Sequence, residues 1–207
     1  MLEVETPHGL ARVDLDAVHR PRGGLILGHG AGGGITARDL VATKQAARDH
    51  GFSVALVEQP YRVAGRRTPA PATQLDTAWA VVVARLLADE LEGLPLVVGG
   101  RSMGARVACR THVSTGAVGV LCLAFPLRPP RRSGSAPAQS RLPELDAVTV
   151  PTLVIQGLAD PFGMPPPSAS RTVVQVPGNH SLTSDLDAVS AGVAAWLGRL
   201  LNPAKIR

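Results

Sequence analysis

The 207-residue sequence predicts one α/β domain, a mostly parallel sheet with helices on both faces. Three observations carry that expectation. Short apolar runs alternate with helix-compatible segments along the whole chain. The runs are continuous rather than alternating in polarity, as strands are when helices cover both sides of a sheet. A composition of 45% hydrophobic and 18% charged residues belongs to a globular chain with one substantial core. Residues 1–207 are therefore read as a single domain, with no internal repeat and no linker dividing it.

The opening segment contains "HGLARVDLDAV", a strand-like stretch expected to add an antiparallel edge. The buried runs are then Gly24 to Leu27, Ser53 to Val57, Leu96 to Val98, Val118 to Ala124, Thr152 to Ile155 and Thr172 to Val176. Helices are expected at Ala37 to His50, Gln74 to Glu92, Ser102 to Val113 and Asp185 to Leu201. In the second, Leu75, Trp79, Val82, Val83, Leu86 and Leu87 recur at helical spacing. Leu186, Val189, Val193, Trp196, Leu197 and Leu200 do so in the last, which makes Trp79 and Trp196 core anchors rather than ligand-stacking groups. Two stretches lack periodicity: "EQPYRVAGRRTPAPATQ", and the arginine- and proline-rich residues 126–144.

A net charge of +5 and a pI near 10.2 raise the question of an anionic partner. The basic residues are scattered and aromatic residues make up only 3% of the chain, so no nucleic acid is expected. Cys109 and Cys122 lie in apolar settings and read as small reduced hydrophobes, a lone disulfide being the alternative. The N-terminus carries acids where a secretory leader carries basic residues, and no run reaches the ~18 apolar residues of a membrane span. A cytoplasmic chain without a membrane partner is expected. The sequence sets no oligomeric state.

Chemistry concentrates at four places. Gly100-Arg101-Ser102-Met103-Gly104 follows a buried run and opens a helix, the context in which G-x-S-x-G becomes a nucleophile elbow. An ordinary N-cap serine in a glycine-rich loop is the alternative. A serine nucleophile needs a base, and the base an orienting acid. Asp160 follows "TLVIQGLA" and His180 follows "TVVQVPGN", so Ser, Asp and His come in the order this architecture uses, each just past a strand. Taken singly, Asp160 also reads as a turn former before Pro161, and His180 as a residue flanking the last helix. His29, His50 and His112 are weaker candidates for the base. The fourth place is "GHGAGGG" at 28–34, whose N–H groups can converge on an oxyanion: one donor from Ala31, and a second from Met103 beyond the serine. Phosphate or dinucleotide binding is the competing use of that loop, kept open by Glu58 and Gln59 ending the next strand. No cysteine and histidine spacing suggests zinc, no acidic pattern suggests calcium, and no cofactor is implied.

With "HGAGGG", "GGRSMG", "GLADPFG" and "PGNHSL" in this order, the sequence resembles the α/β-hydrolase superfamily, from about Leu25 to Leu201. The nearest likeness is to small dienelactone-hydrolase-like proteins and the family that includes testis-expressed protein thirty. The resemblance implies Ser102 as nucleophile, Asp160 as acid and His180 as base, with Ala31 and Met103 supplying the oxyanion hole. Serine stands where true dienelactone hydrolases carry cysteine, which departs from their lactone chemistry. The segment from Phe125 to Leu145 is too short for a large cap, which implies an open cleft for small acyl groups. The expected activity is hydrolysis of a small carboxylic ester or thioester through an acyl-enzyme; the alternative is a hydrolase fold serving as an interaction module. Arg101, beside the serine, is expected to brace the elbow through an acid, presentation of its charge to an acidic substrate being the alternative.

Overall fold

A computed structural model describes residues 1–129 and 139–201. Its strands are β1 (Leu2–Thr6), β2 (Gly9–Asp16), β3 (Gly23–Gly28), β4 (Phe52–Glu58), β5 (Leu96–Arg101), β6 (Gly119–Leu123), β7 (Thr152–Gly157) and β8 (Arg171–Val176). The helices are α1 (Arg38–Asp49), α2 (Pro60–Val63), α3 (Ala72–Leu87), α4 (Met103–Thr111), α5 (Leu142–Asp146) and α6 (Leu186–Leu200). All eight strands form one sheet in the order β1-β2-β4-β3-β5-β6-β7-β8. From β4 to β8 every pairing is parallel, whereas β1 and β2 are antiparallel, so the expected antiparallel edge is a two-stranded hairpin.

The strand runs are apolar throughout because successive side chains enter different layers. Leu25 and Leu27 join a core with Leu40 of α1 and Trp196 of α6, while Ile26 between them joins Trp79 of α3 and Ala105 of α4. Both tryptophans are buried, Trp79 to 1% exposure and Trp196 to 5%, and anchor opposite faces of the sheet. Among the described residues no cap domain covers the layers.

The boundaries differ from expectation in three informative places. β5 continues through Gly99 and Gly100 to Arg101, because the ladder to β6 holds this far (Arg101 opposite Leu123) although glycine favours no strand. α3 stops at Leu87, short of Glu92, where the chain turns to bury Leu91. α2 forms inside a stretch read as loop: Pro60 starts the turn, and buried Tyr61 gives it a reason to pack. Residues 130–138 of the arginine-rich stretch, and 202–207 at the end, lie outside the described residues. Cys109 and Cys122 are free and buried, with sulfurs 3.6 Å apart. Among the described residues no helix is long and apolar enough to cross a membrane.

Candidate active site

The sheet order creates the site. The chain leaves β3 for β4 on one side and returns with β5 on the other, so the loops beyond β3 and β5 diverge at the carboxyl edge. The glycine-rich loop follows β3 and the serine motif follows β5.

Ser102 sits between β5 and α4 with φ 52° and ψ −104°, a left-handed backbone that costs a side-chain-bearing residue on the order of 1–3 kcal/mol. Its N–H donates to the Leu123 carbonyl at 2.9 Å, and its carbonyl accepts from Arg106 N–H at 3.2 Å, so strand and helix clamp the turn from both ends. The hydroxyl makes no capping bond to α4, which sets aside the N-cap role for the side chain. Gly104 is required because a Cβ there would collide with the Gly28 carbonyl of β3.

His180 and Asp160 arrive on the loops beyond β8 and β7. Those loops are tied together: Leu158 N–H donates to Val176 O and Ala159 N–H to Gly178 O, each at 2.9 Å. His180 Nε2 lies 2.9 Å from Ser102 Oγ, and Nδ1 lies 2.8 Å from Asp160 Oδ2. With a carboxylate at Nδ1 and a hydroxyl at Nε2, the neutral ring donates from Nδ1 and accepts at Nε2. The structure thus brings together three residues separated by up to 78 positions. Asp160 serves the turn as well, since its Oδ1 accepts from Phe162 N–H at 2.9 Å. Phe162 in turn covers the imidazole, with ring centroids 4.2 Å apart.

Two supporting roles escaped the sequence reading. Gln156 of β7 is fully buried, and its Nε2 lies 2.8 Å from Asp160 Oδ2 while also reaching the carbonyls of Phe125 and Gly163. Its signal was a polar residue inside the apolar run "TLVIQG". His29 is the second. Its Nδ1–H donates to Gly30 O at 2.8 Å and its Nε2 accepts from Gln59 N–H at 3.1 Å. Burial pulls its pKa below the ordinary imidazole value, outweighing the Gly30 contact and Glu58, which act the other way. His29 is a neutral strut under the glycine-rich loop. Gln59, which had kept the dinucleotide reading open, is committed to His29 and to the Leu75 carbonyl.

Ala31 is held by its carbonyl, which accepts from Tyr61 Oη at 3.1 Å; burial pushes that phenol up to about 12, so it stays a donor. Among the described residues, neither the Ala31 nor the Met103 N–H has a hydrogen-bond partner. Both residues line a cleft of about 300 Å³ with Ser102, Leu75, Pro126 and Phe162. Arg101 braces this arrangement from behind: Nε lies 2.9 Å from Asp39 Oδ2 and Nη2 donates to the His180 carbonyl at 3.0 Å. The Asp39 contact is a close ion pair with the Asp39 side chain almost fully buried. Burial raises the Asp39 pKa, and Arg101 offsets part of that cost. The other candidate bases are engaged elsewhere, His50 with Ala46 O and His112 with Cys109 O and Thr149. No group of three or more metal-ligating side chains occurs among the described residues.

No curated protein matches the sequence. Among solved structures, an α/β serine hydrolase without a lid from Xanthomonas campestris has 20% identity and a TM-score of 0.73, covering 94% of this chain and 93% of its own. Est1E from Butyrivibrio proteoclasticus, with ferulic acid bound, has 15% identity and a TM-score of 0.76, covering 97% and 99%. A dienelactone hydrolase from Anabaena variabilis has 15% identity and a TM-score of 0.75, covering 96% and 95%. At these identities the likeness is one of fold. The family described as an alpha/beta hydrolase domain matches residues 21–184, and with that match over most of its length the chain belongs to the α/β-hydrolase family.

Proposed function

We propose that the protein is a cofactor-free serine hydrolase that cleaves a small carboxylic ester or thioester. The observation that carries this reading is the hydrogen-bonded row from Asp160 through His180 to Ser102, at 2.8 and 2.9 Å, ending on a strained turn beside two unpaired N–H groups. In the proposed mechanism His180 Nε2 takes the Ser102 proton as Oγ bonds to the acyl carbon, and Asp160 stabilises the imidazolium. The Ala31 and Met103 N–H groups receive the developing oxyanion. Collapse expels the alcohol or thiol, which His180 protonates, leaving an acyl group on Ser102; water attacks by the same route in reverse roles and releases the acid. The three solved structures named above lend support only through shared architecture.

The interaction-module reading rests on the arginine-rich stretch, whose central residues 130–138 lie outside the described residues. Cytoplasmic placement forms part of the proposal and draws support from two unbridged thiols 3.6 Å apart. The test is hydrolysis of short-chain nitrophenyl esters by wild type and Ser102→Ala. A fall in kcat of about 10⁴-fold or more is expected in the variant. Equal rates in the two proteins would refute the mechanism.

A further inference from the structure

Among the described residues, the charged side chains lining the cleft beside Ser102 are all arginines: Arg106, Arg110 and Arg141. Two have acidic partners. Arg106 grips Glu144 with Nε and Nη2, and Arg110 grips Asp76 likewise, at 2.8 and 2.6 Å, while also touching Glu144 at 3.4 Å. Arg141 differs. Its Nη1 donates to the Pro126 carbonyl at 3.0 Å, and among the described residues no carboxylate reaches it. Among the described residues, three cations against Asp76 and Glu144 leave one positive charge in a half-enclosed cleft whose other walls include Pro69, Ala70, Leu75 and Phe162. Burial, reinforced by Arg106 and Arg110 and only partly offset by the nearby Glu144 carboxylate, pushes the Arg141 guanidinium pKa down from its usual value, so an anion arriving there relieves an existing cost.

We propose that the substrate is an anionic ester or thioester bearing a carboxylate, and that Arg141 is the specificity-determining residue that receives it. The proposal rests on the serine-hydrolase reading and adds the substrate class to it. One charge without a carboxylate among the described residues matches a monoanion, and the planar guanidinium fork, held at Nη1 by Pro126 O, has no other side-chain hydrogen bond among those residues and so has N–H groups to offer a carboxylate. The apolar walls suit a short hydrocarbon spacer between that carboxylate and the scissile carbonyl. Arg106 and Arg110 stay with their acids, so the positive field that draws the anion in is that of Arg141.

The test compares kcat/KM for phenyl hemiglutarate and phenyl valerate, which are matched in length and differ in the acyl-side carboxylate. A second pair, 3-carboxyphenyl butyrate and phenyl butyrate, moves the carboxylate to the alcohol side. The ratio of anionic to neutral ester is taken within each protein, so any general loss from a substitution cancels. In one of the two pairs this ratio is expected to fall by about tenfold or more from wild type to Arg141→Met, to survive in part in Arg141→Lys, and to drop furthest in Arg141→Glu. Raising the salt concentration should shrink the wild-type ratio. Ratios unchanged by all three substitutions in both pairs, with hydrolysis and its dependence on Ser102 intact, would overturn the anion site and leave the serine-hydrolase reading standing. If no ester is hydrolysed, that reading fails instead, and glutarate binding by calorimetry decides the Arg141 site: binding lost in Arg141→Met supports it, and no binding to wild type overturns it.

Discussion

His29 and His180 each stand just past the carboxyl end of a strand, β3 and β8, yet their surroundings differ in the ways that separate a strut from a base. His29 has 0% exposure and spends both ring nitrogens on backbone partners, Gly30 O and Gln59 N–H. The side chain of His180 is 19% exposed, with a carboxylate behind Nδ1 and a serine hydroxyl before Nε2. A ring sealed against backbone has no accessible proton to exchange, and protonation would break its bond from Gln59. One that accepts from a hydroxyl and is backed by a carboxylate can take a proton and be stabilised while it holds it. Position after a strand therefore nominates a histidine; its partners assign the role.

The largest test of this contrast removes the charge behind His180. Asp160→Asn preserves shape but offers an amide to Nδ1, and kcat on short-chain esters should fall by about 10³–10⁴-fold. A loss below tenfold would mean that His180 works without its carboxylate. A smaller effect is expected at His29→Gln, which keeps an acceptor for Gln59 but loses the bond to Gly30 O. This should cost about 1–2 kcal/mol in denaturant unfolding. It should also lower activity less than Asp160→Asn does, because the loop that carries Ala31 is loosened rather than removed. The smallest effect is in the pH profile. The folded-state pKa of His29 lies below its unfolded value near 6.5, so the stability gained from neutral His29 is complete above pH 6.5 and is lost as pH falls through the lower folded value. Unfolding midpoints at pH 7.5 and pH 5 should therefore separate more in wild type than in His29→Gln. Equal separation would show that another group drives that loss.

Much of this was legible because it is local. Continuous apolar runs marked the strands of both core layers, and the order Ser102, Asp160, His180, each just past a strand, placed the three residues the structure brings together. What escaped depends on contacts between distant segments. Asp39 and Arg101 meet across 62 positions with no periodic signal, although the sequence did suggest that Arg101 would find an acid. Gln156 looked like one polar residue in a strand until its reach to Asp160 was visible. Arg141 was one arginine among many in a stretch without pattern; only the pairing of Arg106 and Arg110 elsewhere sets it apart. β5 was read too short because two glycines hid the strand that carries the elbow.

The most direct test of the central claim is labelling of the folded protein with a fluorophosphonate, followed by intact-mass and peptide mass spectrometry. One adduct per chain, mapped to Ser102 and slowed by about 10³-fold or more in His180→Ala, is the predicted result. Folded wild-type protein that carries no adduct on Ser102, or that labels no faster than His180→Ala, would contradict the assignment of Ser102 as a nucleophile activated by His180.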